Sequence, residues 1–405
     1  MGILSINSVD SSKAVKELMW FVISIPVIIT CLSLDRMFYE KWSGVIYIIS
    51  VLLLAGLFTP LGKEINGNRA WYVFGPISLQ PTEFAKLGTA LMVGNYLTTP
   101  KLDTGSYKTL FTCFLIIAVP LLLIKAQPDD GSVLVFSSFF VGLLAHQVYF
   151  IKQLFIIGLV FLTLFIMGIS MSGPITYLND NLDVLGIIIG VLCLVAFLVL
   201  KNIYYERSPL VYGLVIGGII ICFATVFASD RIFSKLKPHQ KDRIEILFLD
   251  DTDKKVRFEK HGYNLFTAKS CIASGELWGK GYKKGDITDG KIVPEQETDY
   301  IFTTIGEQFG FIGSSIFILA YGSFLIRLFW IAGRQRSIFA SYFSFSIASV
   351  FTLHFIINIG MVLGIIPTIG IPLPLMSYGG SSFLAFTMML FIMVRLDAER
   401  KNTLG

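Results

Sequence analysis

The sequence predicts an all-α polytopic membrane helix bundle of about eleven spans with one large, ordered extracytoplasmic loop, and three observations carry that expectation. Hydrophobic residues make up 54% of the 405 and charged residues only 15%, where soluble domains carry about 25% charged residues. The mean hydropathy is +0.71. The apolar residues also collect in runs close to the roughly 20 residues that cross a hydrocarbon core. These lie at 17–34, 43–59, 84–97, 108–125, 132–150, 153–172, 182–200, 209–228, 302–330, 338–363 and 380–395.

The chain reads as one membrane domain over residues 1–405: N-terminal spans in 17–228, a loop at 229–300, and three C-terminal spans in 301–405. Orientation follows from Lys and Arg in the short loops. The tail from Arg395 to Lys401 and the loop from Gly333 to Ser337 are basic, which puts both in the cytoplasm. Counting back, residues 201–207, Lys152 and the loop with Lys101 and Lys108 also fall inside. The loops with Arg69, with residues 127–132 and with residues 179–183 fall outside, as does 229–300. The same count leaves the N-terminus outside, with Lys13 and Lys16 on the wrong side for the positive-inside rule. The expectation is that the natural chain has one further span ahead of Lys16.

The segment from Ser229 to Tyr300 carries 14 basic and 13 acidic residues among 72, so it is solvated and nearly neutral. Connections of that length are functional or disordered as a rule. Its aromatic residues and the Gly-punctuated amphipathic stretch GYNLFTAKSCIASGELWGKGY favour an ordered domain lying at the interface.

Three stretches are polar or irregular where lipid would penalise them. In IIPTIGIPLPLMSYGGSSFL, Pro367, Pro372 and Pro374 break a regular helix and Gly379 and Gly380 admit unusual backbone. Such backbone is tolerated at membrane depth only where protein buries it or it lines a wet cavity. In NGNRAWYVFGPISLQPTEFAKL, Pro81 suits the start of a helix on which Glu83 and Lys86 share a face. Each would cost a few kcal/mol facing lipid alone, so they face the bundle interior, either as a bracing ion pair or as part of a polar site. In VPEQETDYIFTTIGEQFG, Glu295, Glu297 and Asp299 stand at the lip of an apolar run that carries Glu307.

The five cysteines, Cys31, Cys113, Cys193, Cys222 and Cys271, show neither a disulfide framework nor a zinc spacing. The histidines, His146, His239, His261 and His354, form no ligand pair, and each reads as a packed or interfacial side chain.

PLPLMSYGGSSFL, QPTEFAKL, the QPD of AQPDDGS, NIGMVLGIIP and PEQETDYIF resemble, in order over nearly the whole chain, the signature segments of the SEDS family of bacterial RodA and FtsW proteins. LKPHQKDRI and GELWGKGYKKG resemble the RodA branch more than the FtsW branch. The resemblance implies a peptidoglycan glycosyltransferase of the cytoplasmic membrane that polymerises lipid II on the outer side during elongation. It implies a class B penicillin-binding protein as transpeptidase partner, other elongation-complex membrane proteins, and no nucleic acid. The family's essential aspartate falls on Asp299, and Glu83 and Lys86 match positions facing a central cavity, to which Ser377 and Gly379 of the SYGGSS segment are added. Three departures stand out: the first family span is missing, an extra pair of spans lies near 182–228, and Asp130 occupies an apolar position of the QPD segment.

Attack of a sugar 4-hydroxyl on a polyprenyl-diphosphate-linked donor, with inversion, needs a base near the acceptor and positive charge near the leaving diphosphate. Asp299 suits the base. Arg69, Lys86, Arg243, Lys269 and Lys280 are the candidate diphosphate contacts, and the sequence does not choose among them. Mg2+ or Mn2+ could bridge Asp299 and the diphosphate, although no dedicated metal motif is visible. The rival readings are a lipid II flippase and a noncatalytic scaffold of the elongation machinery.

Overall fold

The computed structural model describes residues 1–65, 68–75, 77–100, 102, 107–140, 143, 238–249, 257 and 260–400. The expected spans at 153–172, 182–200 and 209–228, the extra pair included, lie outside the described residues, as does the end of the one at 132–150. The contacts divide the chain into two units. The larger holds Met1–Ile156, Thr267–Leu363 and Ile369–Gly405, and the smaller Ile157–Phe266 with Gly364–Thr368.

Among the described residues, six helices, all in the larger unit, are long and apolar enough to cross a membrane. They are α2 (Ser11–Ser33), α3 (Arg36–Gly56), α5 (Tyr107–Ala126), α10 (Ile301–Gly333), α11 (Ile338–Val362) and α12 (Gly380–Glu399), each on a predicted apolar run. The shorter α4 (Pro81–Leu97) begins with Pro81 at its first position and is buried along most of its length. It packs against α3, α5, α11 and α12, which is why it tolerates polar side chains a lipid-facing helix would not. Other described helices are shorter: α1 (Gly2–Val9), α6 (Asp130–Phe136), α8 (Lys260–Ala273) and α9 (Asp286–Asp289). The smaller unit contributes α7 (Pro238–Glu245) and a 3-10 turn at Ile246–Phe248, with Arg257 set 5.7 Å over the Phe266 ring.

The structure adds a small sheet that the all-α expectation did not include. β1 (Gly62–Ile65), β2 (Asn68–Phe74) and β3 (Ile77–Leu79) form an antiparallel meander with Tyr72 opposite both Gly62 and Leu79. Along β2 alternate residues Ala70 and Tyr72 are buried while Trp71 and Val73 are partly exposed. That is the period-two pattern of a half-covered strand.

α10 is broken inside the apolar run. Gly310 has φ 63 and ψ −163, and the segment that precedes α9 fills the gap. Phe311 N donates to Glu276 O (2.8 Å) and Ile312 N to Leu277 O (3.1 Å), while Lys280 N and Gly281 N donate to Glu307 O and Gln308 O at 3.0 Å each. The backbone groups freed by the break are therefore satisfied by protein, as membrane depth demands. A Cβ on Gly310 would lie 2.4 Å from Gly279 N, so only glycine allows the approach.

The larger unit has two polar ends. At one, Arg334 Nε donates to Asp397 Oδ1 (2.8 Å), Arg36 N to Glu399 (2.9 Å) and Arg395 Nε to Leu34 O (2.9 Å). Arg327 and Arg334 also sit 4.1 and 4.5 Å over the ring of Trp330, a basic and aromatic belt of the kind found at membrane interfaces. The two segments expected in the cytoplasm thus share one end. At the other end α1 meets the loop before α10: Asn7 Nδ2 donates to Tyr282 (3.0 Å), Asp10 pairs with Lys291 (3.7 Å) and Lys13 pairs with Glu297. Lys13, misplaced by charge counting alone, is compensated there by a carboxylate.

Asp10 caps α2 by accepting from the amides of Ser12 (2.9 Å) and Lys13 (3.3 Å). The Ser12 hydroxyl, reinforced by those amides, lowers its carboxyl from 3.8 to about 2. A depressed folded-state value means the cap contributes fully above pH 3.8 and is lost as pH falls through about 2. Asp10→Ala is expected to cost about 1 kcal/mol near neutrality, and the thermal midpoints of variant and parent in detergent should converge in acid.

Candidate active site

Asp299 is set at the start of α10 by a tight turn. Glu295 adopts left-handed backbone (φ 52). Its carbonyl accepts from the amides of Thr298 (3.2 Å), Asp299 (3.1 Å) and Tyr300 (3.3 Å). Gln296 points inward, its Nε2 lying 3.0, 3.2 and 3.1 Å from the hydroxyls of Thr288, Thr303 and Thr304. The Glu297 carbonyl accepts from Tyr378 N (2.8 Å) and its carboxylate holds Lys13. With its neighbours anchored, Asp299 is left half-buried at the lip. Residues 369–374 run alongside without regular structure, and Gly370 has φ 79. A Cβ at Gly370 would lie 3.0 Å from Asp299 Oδ2, so this segment forms a wall beside the carboxylate.

Glu83 and Lys86 lie in the bundle interior, 2% and 0% exposed. Lys86 Nζ is 2.8 Å from Glu83 Oε1, 3.0 Å from His354 Nε2 and 5.1 Å above the Phe386 ring. Glu83 Oε2 is buried with no hydrogen-bond partner. At the start of the same helix Gln80 N donates to Ser381 Oγ (3.2 Å).

Glu307 is a support for this end. Its carboxylate is wholly buried and accepts from Ile287 N (3.0 Å), Thr288 N (2.9 Å), Thr288 Oγ1 (2.6 Å), Ser274 Oγ (3.3 Å) and Lys280 Nζ (3.2 Å). It therefore ties the loop at 274–288 to α10, while the same loop holds Gln296. Glu307→Gln replaces an acceptor by a donor facing donors and removes the charge. A loss of about 2 kcal/mol is expected, read as a lowered thermal midpoint in detergent.

The remaining predicted contacts are scattered. Arg69 folds back on its own hairpin, donating to Gly62 O and Thr59 O at 3.1 Å each. Lys280 is committed to Asp286 (2.9 Å) and Glu307, and the Asp286 hydrogen bond, with help from Glu307, raises its ammonium above the ordinary lysine range. Lys269 is half-buried on α8. Arg243 is half-buried on α7, in the smaller unit. Ser377 Oγ accepts from Leu373 N (2.8 Å), and Gly379 N donates to Glu17 (3.2 Å) at the start of α12. Asp130, unusual in its segment, is paired with Lys125 at 2.6 Å.

Four polar residues near the site were given no part in it by the sequence: Lys13 and Glu17 on α2, His354 and Asn358 on α11. Asn358 Nδ2 donates to Asp299 O (2.8 Å) and Ile371 O (2.7 Å), and His354 Nδ1 lies 2.9 Å from Pro372 O. Their signal was available, since His354 and Asn358 are four apart in a strongly apolar span and so share a face.

The fold and site define a class: polytopic helical membrane proteins with a carboxylate at the lip of a broken helix and a buried Glu-Lys pair in the bundle interior, joined through His354 to the segment that borders that carboxylate. The chain belongs to the FtsW/RodA/SpoVE family of cell cycle proteins, whose model matches residues 3–186 and 186–402. It is 27% identical over 398 residues to the peptidoglycan glycosyltransferase RodA of Treponema pallidum (strain Nichols), covering 94% of this chain and 88% of that one. It is 26% identical over 363 residues to the peptidoglycan glycosyltransferase MrdB of Escherichia coli (strain K12), covering 90% and 80%. Among solved structures, a chain of a peptidoglycan synthase complex described as coordinating polymerization and crosslinking superposes with TM-score 0.65 at 24% identity, over 98% of this chain and 94% of that one. The rod shape determining protein RodA of Thermus thermophilus superposes with TM-score 0.59 at 20% identity, over 99% and 93%.

Proposed function

We infer that this chain is a peptidoglycan glycosyltransferase that polymerises lipid II, with Asp299 as the base. The observation that carries the reading is the placement of Asp299: half-buried just before α10, with its turn anchored on α2, α9 and α11 and its carboxylate against the irregular segment. In the reaction, the acceptor 4-hydroxyl oxygen bonds to the donor anomeric carbon as the bond from that carbon to the diphosphate breaks. Asp299 takes the hydroxyl proton, and the polyprenyl diphosphate leaves with the electron pair.

Among the described residues, no group of three or more His, Cys, Asp or Glu side chains comes together to hold a metal ion. Mg2+ binds through one or two carboxylates with substrate phosphates completing its shell, so Asp299 is the residue that would hold such an ion. Bound there, the ion would neutralise charge on the diphosphate. The transpeptidase partner of this reading is a class B penicillin-binding protein, supported by the similarity to a chain from a polymerization and crosslinking complex.

Purified protein supplied with lipid II, alone and with its cognate transpeptidase, is expected to form glycan chains. Movement of lipid II across vesicles without polymer would replace this reading with a flippase.

A further inference from the structure

We propose that His354 and Asn358 are positioning residues that hold Asp299 and its neighbouring wall in register for glycosyl transfer, a role that presupposes the polymerase reading above. The two side chains sit one turn apart on α11, 2% and 0% exposed. They grip consecutive carbonyls of one segment: Asn358 takes Ile371 O and His354 takes Pro372 O.

That segment needs an external grip. Pro372 and Pro374 have no N–H to give, and Gly370 is left-handed, so neither helix nor strand can order residues 369–374. Its position is nonetheless critical, because Gly370 lies against the Asp299 carboxylate. Asn358 spends its two amide hydrogens on two different pieces, Ile371 O (2.7 Å) and the main-chain carbonyl of Asp299 itself (2.8 Å). One side chain thus fixes both the catalytic residue and the wall beside it.

The protonation of His354 follows from its partners. A carbonyl only accepts, so Nδ1 carries the proton toward Pro372 O, and Nε2 presents a lone pair to the Lys86 ammonium, which only donates. His354 is therefore the neutral Nδ1–H tautomer, linking the Glu83–Lys86 pair to the segment that borders Asp299.

Substitutions separate the two contacts. Asn at 354 places an amide where Nδ1 was and can still donate to Pro372 O, but it does not reach Lys86. Gln reaches Lys86 and releases Pro372. Asn358→Ala releases both of its carbonyls. Variants are compared by kcat and KM for lipid II polymerisation, thermal midpoint, and amide hydrogen exchange of peptides covering 297–301 and 369–376.

Asn358→Ala is expected to lower kcat by ~100-fold, with KM within ~3-fold, since ångström-scale misplacement of a reacting group costs about that much. His354→Gln should fall further than His354→Asn, by at least ~5-fold in kcat. Exchange in both peptides should rise ~10-fold in Asn358→Ala, and that of 369–376 in His354→Gln but not in His354→Asn. A folded Asn358→Ala with near-parental kcat, an effect confined to KM, or a His354→Asn worse than His354→Gln would each overturn the assignment. If Asn358→Ala does not fold, the order of the two His354 variants decides. If the parent forms no polymer, the polymerase reading fails, and the exchange pattern alone upholds or overturns the clamp.

Discussion

Asp299→Ala or Asp299→Asn is expected to reduce lipid II polymerisation by roughly 100- to 10,000-fold, the span a positioned general base supplies, while membrane insertion and thermal midpoint stay near the parent. Folding should tolerate the change because the turn is held at several further points: the Glu295 carbonyl, the Gln296 amide, the Glu297 carbonyl and the Asn358 clamp on the main chain. Asn is the sharper of the two tests, since it keeps the shape and loses the basicity. Strong polymerisation by well-folded Asp299→Ala would remove the residue from the mechanism and leave a capping role at the start of α10.

The second large effect concerns Glu83 and Lys86. Lys86→Met leaves Glu83 a buried carboxylate without its cation, which typically costs about 3–5 kcal/mol. The cost should appear as a drop in thermal midpoint or as failure to accumulate. The double variant Glu83→Gln, Lys86→Met removes both charges and should recover most of that stability, giving a large coupling in a double-mutant cycle. Polymerisation by the double variant should nonetheless stay low, because Glu83 Oε2 is unpartnered in the interior and His354 loses its donor. Full activity in the stable double variant would reduce the pair to a brace between helices.

Much of this was legible in the amino-acid order. Apolar runs located six of the helices, Pro81 marked the start of α4, and a spacing of three put Glu83 and Lys86 together. The prolines and glycines of residues 364–379 announced backbone that is neither helix nor strand. These features are local: hydrophobic length, a missing N–H and helical period are properties of neighbouring residues, so the sequence states them directly.

What only the tertiary structure decided are the long-range pairings. Lys280 reads as a free cation for a diphosphate until Asp286 and Glu307 are seen to take its charge. Arg69 turns back on carbonyls of its own hairpin, and Ser377 closes a turn on Leu373. Lys13 looks misplaced until Glu297, 284 residues away, comes to meet it. His354 reads as a lone packed histidine, yet it bridges Lys86 and Pro372 across three parts of the chain. The reason is physical: burying a polar group is tolerable only with a partner. The sequence therefore shows that such partners must exist for each acid, base and amide in a greasy chain, and packing alone selects which ones they are.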